Sequence, residues 1–280
     1  VQILSRYLGV KMKLLFIVLI TITIAIPSWA SNYGFNNLSE DDVDNIFEEF
    51  SATFTHSTVS GAKSKSKIFG FEAGLVAGVT KSDHVKEIVA RSMPSGSDEI
   101  EFLPFASLYA LVSLPFGITA EANYIPEVDI QDVEFNHLSL AGKIELTYFM
   151  ELPVDIAIRG MLIDTNLSIT QSSQSSGSFT GTLDYKQTQL GLQAIVGKSF
   201  GIIEPYASIG FLSSNGELIA TGSGSGSVFN YTASSRVDSE ASGLQIVAGL
   251  QVNLLLLKVG AEYVNAFGAN HLNAKVALSF

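Results

Sequence analysis

The chain has 280 residues, no Cys, 47% hydrophobic but only 15% charged residues, and 27 Asp and Glu against 16 Lys and Arg, a net charge of −11. A disulfide scaffold is excluded by the missing Cys and a disordered chain by the apolar content. So acidic a chain lacks the basic face that a nucleic-acid partner requires, and all-β barrels of this length form single units.

Lys11-Met12-Lys13 is basic, Leu14 to Ile26 is uncharged and apolar, and Pro27-Ser28-Trp29-Ala30 ends in a small-x-small pattern. That order predicts a secretory signal peptide over residues 1–30, cleaved between Ala30 and Ser31, with Met12 the expected start and Val1 the alternative. The apolar run is shorter than the roughly 20 residues of a membrane-spanning helix, which leaves an uncleaved anchor as the weaker reading. The peptide would carry away Arg6, Lys11 and Lys13 and no acid, so the exported chain is more acidic still.

Residues 31–66 are expected to form an amino-terminal periplasmic or plug segment with one helix at about 39–54. Ser39 and Asp42 have capping-box spacing, the acids Glu40 to Asp42 suit a helix amino terminus, and Val43, Ile46, Phe47, Phe50 and Phe54 recur at helical spacing.

From about residue 67 the period changes from 3.6 to 2 and stays there to the end. Leu138, Leu140, Ile144 and Leu146 alternate with Ser139, Ala141, Lys143 and Glu145; Leu190 and Leu192 alternate with Gln189, Gly191 and Gln193. Such two-faced strands fit a soluble sandwich as well as a barrel. The minor face decides for a barrel: it holds Gln, Asn, Gly, Ser and Ala with few charges, which suits a lumen better than a solvated surface. Connections also alternate in length. Long polar stretches are expected at 81–103, 127–134, 171–178 and 215–242, and tight turns at Leu114-Pro115-Phe116-Gly117, 150–153, 198–201 and near Leu254-Leu255. The expected fold is all-β, a closed antiparallel transmembrane barrel over residues 67–280 with about 10 strands (8 to 12), both termini on the periplasmic side.

The last strand carries Ala274, Val276, Leu278 and a terminal Phe280 on one face. It resembles the closing strand of bacterial outer-membrane barrels, which implies recognition by the barrel-assembly machinery and a bacterial outer-membrane location, in contact with lipid and lipopolysaccharide. Phe69-Gly70-Phe71-Glu72, Leu114-Pro115-Phe116-Gly117, Tyr124-Ile125-Pro126 and Leu152-Pro153-Val154-Asp155 are together similar to the landmarks of an uncharacterised family of Gram-negative outer-membrane barrels. Its members have a short helix before the barrel and no assigned function, so the resemblance implies fold and location only.

No catalytic, cofactor-binding or metal site is expected. The Gly/Ser run at 222–227 lacks the Lys and the strand-to-helix context of a phosphate loop, and no H-E-x-x-H spacing occurs. A rim protease would need His84 beside Asp83, or His137 near Asp129 and Asp132; solvated loop residues are the plainer reading, and the chain is read as a non-enzyme. The inward face offers Glu121, Lys143, Glu145, Asp155, Arg159, Lys258, Glu262 and Lys275 as candidate lumen lining, with Glu145 and Arg159 expected to approach across adjacent strands. These charges fit either a network filling a narrow barrel or a selectivity lining for a small polar solute. The expected role is structural or narrow-pore transport. The alternatives are surface-loop binding or adhesion, and uptake of a hydrophobic compound past an amino-terminal plug.

Overall fold

The computed structural model describes residues 40–64, 69–92, 101–130, 133–150, 152–173, 178–225 and 230–280. The expected signal peptide, with Ala30 and Ser31, lies outside them. Helix α1 spans Glu40–Thr53 and is followed by an extended segment, 54–64. Ten strands follow: β1 (Gly70–Lys81), β2 (Phe102–Ser113), β3 (Ile118–Ile130), β4 (Val133–Glu145), β5 (Asp155–Ser173), β6 (Ser178–Gly197), β7 (Ile203–Ser225), β8 (Asn230–Leu254), β9 (Leu257–Ala266) and β10 (Ala269–Ser279). Each pairs antiparallel with its neighbours in sequence, and β10 closes on β1 from Glu72↔Ser279 to Thr80↔His271. The expected closed barrel is the fold observed, and closure leaves no sheet edge around the wall.

Alternation sorts the side chains. Leu138, Leu140 and Ile144 of β4, Leu190 and Leu192 of β6, and Leu272, Val276 and Leu278 of β10 are exposed on the outside, while Ser139, Lys143, Gln189, Gln193, Asn273 and Lys275 are buried within. Rings mark the two limits of the outer apolar face: Phe69, Phe116, Phe149, Phe200 and Phe280 at the short-turn end, Tyr124 and Tyr263 towards the other. An apolar band about 25 Å tall between aromatic girdles is what a bilayer requires of a barrel. No helix among the described residues is long and apolar enough to cross a membrane.

Turn chemistry explains two of the sequence landmarks. At Leu114-Pro115-Phe116-Gly117 both Phe116 and Gly117 take positive φ, 66° and 74°, and the Leu114 amide donates to the Ile118 carbonyl at 2.8 Å. A Cβ on Gly117 would lie 2.9 Å from Tyr148 Cβ, so glycine is required there for space as well as conformation. In Tyr124-Ile125-Pro126 the ladder between β3 and β4 slips by one residue after Ile125, a bulge that absorbs the proline's missing donor.

The long connections differ from expectation. The stretch 81–103 contains helix α2 (Asp83–Ser92), foreshadowed by Ser82 before the acid Asp83 and by Val85, Ile88 and Val89 at helical spacing. Within the acidic stretch 127–134 the described residues belong to β3 and β4, and within 171–178 to β5 and β6. The Gly/Ser-rich 215–242 is paired from Asn215↔Glu240 to Ser225↔Asn230. With neither face apolar, these tips carry no alternation, yet an adjoining strand supplies backbone partners on at least one side and the ladder continues.

Candidate functional site

The lumen is occupied by the chain itself. α1 sits within the long-hairpin end, and its apolar stripe meets the inward rings: Phe47 and Phe50 lie 5.8 and 5.3 Å from Tyr185, and Phe54 lies 5.2 Å from Phe135 and 6.0 Å from Phe105. Gly216 of β7 leaves room for Phe47, which a Cβ there would approach to 2.5 Å. Below this aromatic layer Ser51 Oγ lies 3.1 Å from Ser214 Oγ, and Gln189 donates to the Ser51 carbonyl at 3.3 Å. Glu49 reaches sideways to α2, accepting from the amides of His84 (2.8 Å) and Val85 (3.0 Å), where unpaired helix donors and the macrodipole favour a carboxylate.

Residues 54–64 are small and rich in hydroxyls, which lets an extended segment pass within ten strands. Glu121 of β3, only 3% exposed, is the hub that holds it. Arg159 Nε and Lys143 Nζ lie 3.1 and 3.3 Å from its carboxylate, Thr58 donates to it at 2.9 Å, and His56 Nε2 stands 3.3 Å away while His56 Nδ1 meets Ser139 at 2.8 Å. Both cations also bind the segment: Lys143 donates to the Gly61 carbonyl at 2.8 Å and Arg159 Nη2 to Ser60 Oγ at 2.9 Å. A buried carboxylate facing two cations and several donors is the arrangement that offsets desolvation of all three charges. Between Thr58 and Ser60, Val59 takes a φ of 45°, sparse for a β-branched residue, and is enclosed by Val76, Tyr109, Leu111 and Ala277.

Two further carboxylates organise the rest. Glu262 accepts from Ser57 (2.5 Å), Tyr206 (2.7 Å) and Asn273 (3.1 Å). Glu72 accepts from Lys275 and Tyr109, each at 2.8 Å, with Lys258 3.5 Å away. At the short-turn end the Ser64 amide donates to Glu145 at 2.6 Å, and Gly61 abuts Glu204.

Of the eight candidate lining residues, Glu121, Lys143, Arg159, Glu145 and Glu262 thus converge on the segment, and Lys258 and Lys275 meet at Glu72. Asp155 is half-buried near the short-turn end, paired in register with Gly197. Glu145 and Arg159 are diagonal neighbours across β4 and β5, with Lys143 opposite Arg159 and Glu145 opposite Ala157, and each bonds elsewhere: Glu145 to the Ser64 amide, Arg159 to Glu121. Glu72, Tyr109, Tyr206 and the hydroxyls of 54–64 were not anticipated; the available signal was a Glu inside the otherwise uncharged start of β1. His137 is also corrected. It is a wall residue 1% exposed, bonded to Thr165 at 2.9 Å with its ring 6.2 Å from Phe54, because the alternation of β4 turns it inward. His84 faces Glu49 at 3.1 Å, with Asp83 on Lys81. The helix, expected at the short-turn side, stands at the opposite end, while the amino terminus itself lies outside the described residues. Among the described residues no group of three or more His, Cys, Asp or Glu is gathered to hold a metal ion.

Among solved structures the chain is similar to the translocator domain of autotransporter NalP from Neisseria meningitidis, with a TM-score of 0.41 at 12% identity over 77% of this chain and 89% of that one. It is similar also to Ail, the attachment invasion locus protein of Yersinia pestis (TM-score 0.29, 11% identity, 76% and 97% covered), and to a mutant of Rh. blastica porin (TM-score 0.21, 9% identity, 76% and 99% covered). At these scores none of the three carries a function over. No curated protein matches the sequence. The match that assigns kinship is to a family model covering residues 10–280, and the chain belongs to that family, a family of unknown function, DUF6588.

Proposed function

We propose that the chain is an integral outer-membrane barrel, closed at rest by its own amino-terminal segment, that serves narrow, gated passage of a polar solute. The observation that carries this reading is the chemistry of the occupied lumen. Residues 54–64 are held mainly by hydroxyl, amide and ionic contacts to Glu121, Lys143, Arg159, Glu262 and Glu145. Water can replace such contacts one at a time at small net cost, whereas an apolar core has to open as a unit. The export signal expected in residues 1–30, the apolar outer band and a closing strand suited to the barrel-assembly machinery support the outer-membrane address, with lipid and lipopolysaccharide around the wall. Uptake of a hydrophobic compound is less well supported, because the contacts that hold the segment are mainly polar and charged. Surface binding is the second reading, favoured by the β7–β8 hairpin, whose strands of 23 and 25 residues outrun the 10 of β9.

Ser51 and Ser214 provide the test. In the double variant Ser51→Cys/Ser214→Cys, oxidation should pin α1 to the wall and abolish openings in a planar bilayer, and reduction should restore wild-type openings. Openings that persist after complete crosslinking would refute gating by this segment. A wild type that never opens would leave a structural or surface role in its place.

A further inference from the structure

The segment descends the lumen in step with β4. Phe54 lies beside His137, ring centroids 6.2 Å apart, His56 bonds Ser139, Gly61 bonds Lys143 and Ser64 bonds Glu145, so each step down the segment meets a later inward residue of the strand. β4 starts at the long-hairpin end and finishes at the tight turn Leu146–Phe149. At that same lower end β1 begins, with Phe71 and Phe280 exchanging backbone bonds of 2.9 and 2.8 Å. Residues 54–64 reach at most about 40 Å when extended, enough to cross an apolar band about 25 Å tall in one pass.

We propose that α1 is displayed on the external face of the membrane, having been threaded outward through the barrel's own lumen before residues 54–64 settled there. The proposal rests on the outer-membrane reading above, in which short turns are periplasmic and long hairpins external. Export would deliver the whole chain to the periplasm, so α1 must cross to reach its observed place. The lipid route is closed to it: Asp42, Asp44, Glu48 and Glu49 would each have to enter hydrocarbon, at about 2.5 to 3.5 kcal/mol for an Asp at mid-bilayer. The lumen route offers those carboxylates polar and cationic partners, among them Lys143, Arg159, Gln189 and Gln193, beside its aromatic and aliphatic clusters. The bond from Glu49 to the start of α2 then forms only on arrival, because α2 belongs to the β1–β2 connection of the external end. It acts as a catch that holds the threaded helix outside, with Asp44 and Glu48 facing solvent.

The natural absence of Cys makes the test direct. Single variants Glu48→Cys, Lys63→Cys and Asp238→Cys each sit at an exposed position, and a membrane-impermeant maleimide is applied to intact cells and to disrupted ones, after a gel heat-shift has shown that each variant is assembled. Cys at 48 and at 238 should label fully in intact cells, and Cys at 63 only after disruption. Labelling at 238 with protection at 48 until disruption would overturn the threading and leave the barrel reading standing. Protection at 238 itself until disruption would overturn the outer-membrane orientation and the threading together.

Discussion

Glu121 concentrates the energetics of the lumen in one side chain. With it in place Lys143 and Arg159, directly opposite each other on β4 and β5, share a counter-charge; without it they become a buried like-charge pair. Glu121→Ala should therefore destabilise the closed state by about 3–5 kcal/mol. Glu121→Gln keeps the shape but leaves both cations uncompensated, and Glu121→Gln/Lys143→Met should recover part of the loss. The readouts are the temperature of the heat-shift on a gel and the frequency of bilayer openings; a single variant matching wild type in both would remove Glu121 from its place as hub. That this residue faces inward was legible from alternation alone. Its partners were not, because Thr58, Ser60 and His56 lie 61 to 65 residues away in sequence and no local period connects a loop-like Ser/Thr stretch to a strand. That Lys143 and not Glu145 stands directly opposite Arg159 was hidden for a related reason: a turn fixes register, and its geometry around Leu146–Phe149 was not visible in composition.

At the scale of elements, apolar alternation located all ten strands but placed their outer ends too early. Beyond the apolar outer band the outward residues no longer need to be apolar, so Thr, Ser and Gly continue the ladder without a hydrophobic mark, as in β7 beyond Asn215. α2 was hidden inside a stretch read only for polarity. β10 was the most legible element: Leu272, Val276, Leu278 and Phe280 are exposed on the outer face, and Phe280 extends the seam with β1 by pairing with Phe71. Deleting Phe280 removes the two terminal backbone bonds of the seam, whose ladder otherwise runs from Glu72↔Ser279 to Thr80↔His271, and an aromatic group of the lower girdle. Assembled protein in the outer-membrane fraction should fall severalfold, while His84→Ala should leave that amount unchanged. Equal yields from the two variants would show that the seam does not depend on its last residue.

For the molecule as a whole, wall and filling are separable. Hydrogen bonds between strands close the wall completely, and residues 40–64 contribute to it no strand. A chain lacking residues 40–64 should still assemble and show the heat-shift, at a lower transition temperature, because the inward charges regain water in place of the segment. It should also conduct steadily where the full chain flickers. Loss of assembly would instead make the segment part of the folding core. The sequence offered an amphipathic helix and a polar lumen separately. Their union was not readable, because a helix stripe states that it is covered and not by which end of which partner.

The segment is joined to β1 across only the few residues between Ser64 and Gly70, and this tether sets its behaviour as a ligand. A short linkage gives an effective local concentration in the millimolar range, which neither dilution nor expression level can change. Any solute that opens the barrel competes with an occupant that is always at hand, so openings are brief unless something binds the freed segment or the vacated wall. A soluble peptide copying residues 54–64 should displace the resident one only at comparable, millimolar concentrations, and a physiological opener would act by capturing the displaced segment rather than by outcompeting it.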